Sequence, residues 1–157
     1  PIGDQQTVRQ TSSTHGPDGY ITTDPDVIEQ FQERLNDKIV SAVDAFTFFE
    51  EATDETADTL LITYGITARS ARVAAEQLHR EGRPVSLLIL KTLWPVPEKL
   101  ILKKAENARR IVVAEMNMGQ YVREIRRILP HQKIDFFGKM NGSLITPDQI
   151  KEVVLND

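Results

Sequence analysis

The sequence predicts an α/β fold: a three-layer, mostly parallel sheet of four to five strands with helices on both faces, preceded by a helical arm. Three observations predict it. Apolar runs over 59–64, 85–90, 111–114 and 134–137 recur at intervals of roughly 25 residues. These runs lack polar alternation, the pattern of strands covered on both faces in a parallel sheet. Between them, apolar residues recur at spacings of three and four, so helices connect the strands.

In chain order, residues 1–23 are rich in Gln, Thr, Ser, Asp and Gly and read as an irregular arm with a turn at Gly16-Pro17-Asp18-Gly19. Asp24-Pro25-Asp26 opens a helix. Asp24 can accept orphan N–H groups as N-cap, Pro25 suits the first helical position, and Asp26 favours the positive end of the dipole. Val27, Phe31, Leu35, Ile39, Val43 and Phe46 then form one apolar stripe, which calls for a surface to pack on. Thr53 to Asp58 reads as an acidic linker. The expected organisation is a connector arm and long helix over 1–58 and an α/β domain over 59–157.

Within that domain, the strand Thr59–Tyr64 ends at Gly65. Ala71, Ala74, Ala75 and Leu78 mark a helix face stopped by Gly82, and Val85–Leu90 is the second strand. Pro95 and Pro97 punctuate the chain before Ile101, Ala105 and Ala108 give a further helical spacing. Ile111–Ala114 is the third strand. Tyr121, Val122, Ile125, Ile128 and Leu129 form the next helix face, closed by Pro130, and Ile134–Phe137 is the fourth strand. Thr146-Pro147-Asp148-Gln149 is a capping box with Pro at the first helical position, ahead of Ile150, Val153 and Val154.

Composition narrows the chemistry. The 157 residues contain no cysteine, which excludes disulfides, thiolate nucleophiles and cysteine-held zinc or iron–sulfur centres in this chain. The longest apolar runs are four residues, Leu87–Leu90 and Ile111–Ala114, too short to span a bilayer. Residues 1–58 hold 13 acids and three bases, a net of −10, whereas residues 59–157 carry a net of +6. No stacking aromatics interleave with the bases and Trp94 is the single tryptophan, so nucleic acid is not the expected partner. Charge pairing between the acidic and basic segments explains the split more simply.

In an open parallel sheet, ligands and partners meet the carboxyl ends of the strands. Those ends gather Thr67, Lys91, Glu115, Asn117, Gln120 and Asn141, more polar side chains than caps require. Gly65, Thr67 and Ser70 could cradle a phosphate at a helix N-terminus. The same residues make a Gly-tightened turn with a Thr N-cap, and the absence of a complete GxGxxG or Walker A pattern favours the cap. Glu115 at a strand end could serve as a general base or pin a neighbouring loop. No second acid or His stands near it in sequence, which favours the pin. Such a carboxylate needs donors, and the backbone N–H groups of the Gly119 turn are candidates. His15, His79 and His131 show no ligand spacing, and Arg123, Arg126 and Arg127 share a solvated or partner-facing helix surface.

The segment Ile111-Val112-Val113-Ala114-Glu115-Met116-Asn117-Met118-Gly119-Gln120 resembles the strand-plus-EMN-x-GQ segment in the alpha subunits of 2-oxoacid:ferredoxin oxidoreductases. Tyr64-Gly65 with Thr67-Ala68-Arg69-Ser70-Ala71 is similar to that family's first βα turn in this domain. Leu93-Trp94-Pro95-Val96-Pro97 is similar to its apolar crossover, and Gly142 with Thr146-Pro147 to its final turn and helix. His15 to Gly19 and the helix over 24–38 resemble the connector before the domain.

The resemblance implies a transketolase carboxy-terminal-like domain, cytoplasmic, from the carboxy-terminal part of a larger subunit. Its enzymes oxidatively decarboxylate a 2-oxoacid, attach the acyl group to coenzyme A and pass electrons to ferredoxin, using thiamine diphosphate, Mg²⁺ and iron–sulfur clusters. This chain has no Gly-Asp-Gly…Asn pattern for diphosphate and metal. The resemblance therefore implies no catalytic or cofactor-binding residue here. It implies docking through Gly65, Thr67, Glu115, Asn117, Gln120 and Asn141 to the rest of the alpha subunit or to the beta subunit, with ferredoxin reached through the complex. Two other readings use the same residues. A free-standing phosphate- or flavin-binding module on the Gly65–Ser70 turn lacks a second aromatic-bearing loop to sandwich a flavin. A response-regulator-like domain needs an acidic cluster where this chain has Tyr64 and Gly65.

Overall fold

Asp24 starts the first helix as its chemistry dictates: its Oδ1 accepts from the backbone N–H of Asp26 at 3.0 Å and of Val27 at 3.4 Å, with Pro25 in the first turn. The computed structural model describes residues 5 and 13–156. The parts of the expected arm at 1–4 and 6–12 lie outside the described residues. Two units emerge, Pro1–Ala45 and Phe46–Asp157.

In the first unit, Gly19 N–H donates to the Gly16 carbonyl at 3.0 Å and His15 bridges to Ile21, closing the expected turn. Helix α1 (Pro25–Val40) follows. It stops short of the predicted stripe's end, and a 3-10 turn over Val43–Phe46 replaces further helix. None of the residues of α1 is fully buried. Phe31 meets His15 edge-on at 5.1 Å between ring centroids and the Arg34 guanidinium at 5.4 Å.

The second unit holds a five-stranded sheet of order β1-β3-β2-β4-β5. Its strands are β1 (Phe49–Ala52), β2 (Thr59–Tyr64), β3 (Ser86–Leu90), β4 (Arg110–Glu115) and β5 (Lys133–Gly138). All neighbours pair in parallel except β1, which pairs antiparallel to β3. The connecting helices are α2 (Thr67–Arg80), α3 (Glu98–Ala105), α4 (Tyr121–Ile128) and α5 (Pro147–Leu155). Strand alternation sends Leu61, Val112 and Ala114 to the face packed with Ala71, Leu78 and Ile150 of α2 and α5. Leu60, Ile62, Ile111 and Val113 go to the opposite face, with Ile101, Val122 and Ile125 of α3 and α4. Thr146 and Gln149 close the capping box that starts α5. No helix among the described residues is long and apolar enough to cross a membrane.

β1 corrects the placement of residues 46–58 with the arm. The four-residue run Phe-Glu-Glu-Ala carries no apolar pattern, because it is an edge strand whose two acids face opposite sides. Glu50 pairs with Arg72 of α2 and with Lys91 at 2.5 Å, and Glu51 pairs with Lys104 of α3. Asp54 accepts from the Thr56 hydroxyl at 2.6 Å and N–H at 2.9 Å and meets His79 Nδ1 at 2.9 Å, so the expected linker is an ordered turn. Lys91 and Arg72 hold the Glu50 carboxyl down at about 2, against an ordinary 4.5. A depressed carboxylate contributes its stability above its unfolded pKa and loses it as pH falls through the folded one. Glu50's contribution is therefore expected to be complete above pH 4.5 and to fade toward pH 2, with an NMR-detected carboxyl midpoint near 2.

Arg110 opens β4 and is buried. Its guanidinium donates to Asp135 Oδ2 at 2.5 Å and to the carbonyls of Val154 (2.7 Å), Asn156 (2.8 Å) and Val153 (2.9 Å). The last turn of α5 leaves carbonyls without intrahelical partners, and this side chain supplies them with donors and a cation at the negative end of the dipole.

Candidate functional site

The parallel register brings the ends of β2 and β4 together. Thr63 lies beside Ala114, so Tyr64 and Glu115 end neighbouring strands. Glu115 is 0% exposed and its carboxylate accepts four hydrogen bonds. Oε2 takes Tyr64 Oη at 2.7 Å, Asn117 Nδ2 at 2.9 Å and Tyr121 N–H at 3.0 Å, while Oε1 takes Val122 N–H at 3.0 Å. The last two are free N–H groups of the first turn of α4, whose own N-cap residue, Gln120, offers no side-chain bond. A carboxylate from β4 thus caps the next helix, where the helix dipole favours negative charge.

Asn117 completes the cluster. Its Nδ2 also donates to Tyr64 Oη at 2.7 Å, and its Oδ1 accepts from the N–H groups of Gly119 (2.8 Å) and Gln120 (2.9 Å). Gly119 turns the loop at a φ of 86°, a conformation costly for other residues. From the far side, Gly138 admits the loop: a Cβ there would lie 2.6 Å from the Asn117 carbonyl and 2.2 Å from the Phe136 ring. Burial first, and the Glu115 carboxylate second, push the Tyr64 phenol well above its ordinary pKa, so it remains a donor.

Tyr121 packs edge-on against Tyr64 at 5.5 Å between centroids, and its buried hydroxyl has no hydrogen-bond partner among the described residues. The two tyrosines should therefore respond oppositely to loss of the hydroxyl. Tyr64→Phe strips Glu115 and Asn117 of a partner and is expected to lower stability by about 1–3 kcal/mol. Tyr121→Phe removes an unsatisfied polar atom and is expected to be neutral or stabilising by up to about 1 kcal/mol. Urea unfolding of the two variants side by side checks the difference in sign.

The other predicted site residues do not converge on this cluster. Gly65 makes the left-handed turn between β2 and α2, at a φ of 59°. Thr67 is buried inside the helix and is not its N-cap; that position falls to Ile66, without a side-chain bond. Ser70 Oγ donates to the Ile145 carbonyl at 2.7 Å, which ties α2 to the loop before α5. Gln120 joins the cluster only through its N–H, and Asn141 closes its own loop by accepting from Ser143 N–H at 3.1 Å. Sequence reasoning missed Tyr64 and Tyr121 as members of the cluster. A tyrosine at a strand end next to a buried strand ending in Glu is the available signal, but only the strand order pairs the two.

The segment 57–150 matches the family model described as pyruvate:ferredoxin oxidoreductase core domain II. The chain belongs to that family. Core domain II relatives include the 2-oxoglutarate synthase subunit KorA of Methanothermobacter marburgensis, 31% identical over 98% of this chain and 42% of its own length. The ketoisovalerate oxidoreductase subunit VorB of Methanothermobacter thermautotrophicus is 31% identical over 85% of this chain and 38% of its own. This core domain II chain thus spans about two fifths of the length of the curated relatives it matches.

Among solved structures, 98% of the chain superposes on 27% of a chain of the 2-oxoglutarate:ferredoxin oxidoreductase from Magnetococcus marinus, with a TM-score of 0.84 and 27% identity. That enzyme was solved with 2-oxoglutarate, coenzyme A and succinyl-CoA bound. A split-gene transketolase, with a TM-score of 0.58 at 19% identity over 68% of this chain, shares the fold of this core domain II chain. The family assignment does not favour the phosphate- or flavin-binding reading of the Gly65–Ser70 turn, and the burial of Thr67 and the bond from Ser70 to Ile145 leave that turn short of free hydroxyls.

Proposed function

We propose that this chain is the carboxy-terminal domain of the alpha subunit of a thiamine-diphosphate-dependent 2-oxoacid:ferredoxin oxidoreductase, acting in the cytoplasm. The whole enzyme decarboxylates a 2-oxoacid, transfers the acyl group to coenzyme A and delivers two electrons to ferredoxin through iron–sulfur clusters. The observation that carries this reading is the match to core domain II together with a superposition covering 98% of the chain.

The domain's part in that enzyme is assembly. Its carboxyl-edge residues do not suit thiamine diphosphate with Mg²⁺. The acceptor oxygens of Glu115 and Asn117 are already engaged by donors of this domain, and no group of three or more His, Asp or Glu side chains among the described residues is placed for a metal. Gly65, Thr67, Glu115, Asn117, Gln120 and Asn141 instead shape the rim at which the rest of the alpha subunit or the beta subunit docks. The test is reconstitution. The chain within its complete subunit, assembled with its partner, should reduce ferredoxin in a reaction that needs coenzyme A and a 2-oxoacid. The isolated chain should show neither turnover nor calorimetric binding of thiamine diphosphate. Absence of turnover by the assembled enzyme with every 2-oxoacid tried would overturn the activity, and a micromolar dissociation constant for the isolated chain, about −8 kcal/mol, would overturn the assembly role.

A further inference from the structure

The loops at the carboxyl edge of the sheet each leave a large apolar residue exposed. The loop after β4 shows this most clearly: Glu115 and Asn117 are consumed by internal bonds, while Met118 between them and the helix is 74% exposed. Every strand has an exposed apolar side chain at this edge, β1 through Phe48 just before its start. Across the sheet from β1 to β5 the edge presents Phe48, Trp94, Ile66, Met118 and then Met140 with Leu144, Trp94 being 72% exposed. With strands about 4.8 Å apart, the row extends about 19 Å. At the opposite edge, Leu155 is the comparable side chain among the described residues.

Acidic side chains are missing from the loops of this edge, and the nearest arginine is Arg69 in the first turn of α2. The loops 65–66, 91–97, 116–120 and 139–146 contain no Asp or Glu. Their two lysines are engaged, Lys91 with Glu50 at 2.5 Å and Lys139 with the Leu144 carbonyl at 2.9 Å. Depletion of acidic residues around Trp and Met on a rigid backbone is the composition of a protein–protein interface core.

We propose that this row is a docking face and that its occupant is the remaining part of the same subunit polypeptide. This rests on the family reading, through the relatives' lengths: matched relatives extend well beyond the 42% or less that this chain covers, so a tethered neighbour stands at high effective concentration. The Glu115–Asn117–Tyr64 cluster positions Met118 for that contact without touching the occupant.

Hydroxyl-radical footprinting read by mass spectrometry tests this, since Trp and Met side chains report their own exposure. Oxidation of Trp94, Met118 and Met140 is expected to slow at least tenfold in the complete alpha subunit relative to this chain alone. Trp94→Asp with Met118→Asp should leave the melting temperature of this chain within about 2 °C, as exposed positions do, and should restore fast oxidation of Met140 in the complete subunit. Equal oxidation rates in chain and subunit would overturn the proposal. Slowing that needs the second subunit, or that follows the concentration of this chain alone, would overturn the stated occupant. Each of these results can coexist with normal turnover of the assembled enzyme, so they are separable from failure of the family reading.

Discussion

Glu115→Ala is expected to lower the stability of the Phe46–Asp157 unit by about 3–5 kcal/mol, because four donors lose their acceptor in a fully buried site. Those donors are Tyr64 Oη, Asn117 Nδ2 and the N–H groups of Tyr121 and Val122. Water cannot replace the carboxylate without opening the cluster, since the site is 0% exposed. Glu115→Gln keeps the shape and one acceptor oxygen but turns an amide NH₂ against a donor, so it should cost about 1–3 kcal/mol. Urea unfolding with an unchanged slope would confirm the order Ala before Gln. A loss below about 1 kcal/mol for Ala would mean that the carboxylate does not hold the loop and the start of α4.

Arg110→Ala is expected to cost about 2–4 kcal/mol, because it removes donors from three carbonyls at the end of α5 and the charge partner of Asp135. Asp135→Asn should cost no more than about 1 kcal/mol, because that side chain keeps access to water. The pair of variants separates the two roles of the guanidinium: a large loss in both would assign the stability to the ion pair, and a large loss in Arg110→Ala alone assigns it to the helix terminus. Amide exchange in α5 is the local readout, and its acceleration in Arg110→Ala is expected to exceed that in the core strands.

Both predictions concern residues whose partners come in part from distant positions in the chain. Glu115 is legible as a carboxylate ending a buried strand, and the need for donors follows from that position alone. The N–H groups of the Gly119 turn, expected as its donors, go to Asn117 instead, and the carboxylate takes those of Tyr121 and Val122 one turn further on. The Tyr64 hydroxyl was not foreseeable, because it lies 51 positions away and arrives only when β2 and β4 become neighbours. Arg110 precedes an apolar run and reads as its polar boundary. Its burial depends on α5 ending beside the start of β4.

The sequence by itself determined the alternation of strands and helices. Buried strands must be continuous apolar runs and surface helices must carry one apolar stripe, and both are local patterns. It also determined the two strongest helix starts, at Asp24 and Thr146, because capping is settled within four residues. Tertiary structure decided the rest. β1 is a strand only because β3 offers an edge; its Phe-Glu-Glu-Ala run has no period of its own, and its acids are satisfied by Arg72, Lys91 and Lys104 from distant elements. The placement of Trp94, Met118 and Met140 on one edge likewise follows from strand order, a property of long-range pairing that no window of sequence contains.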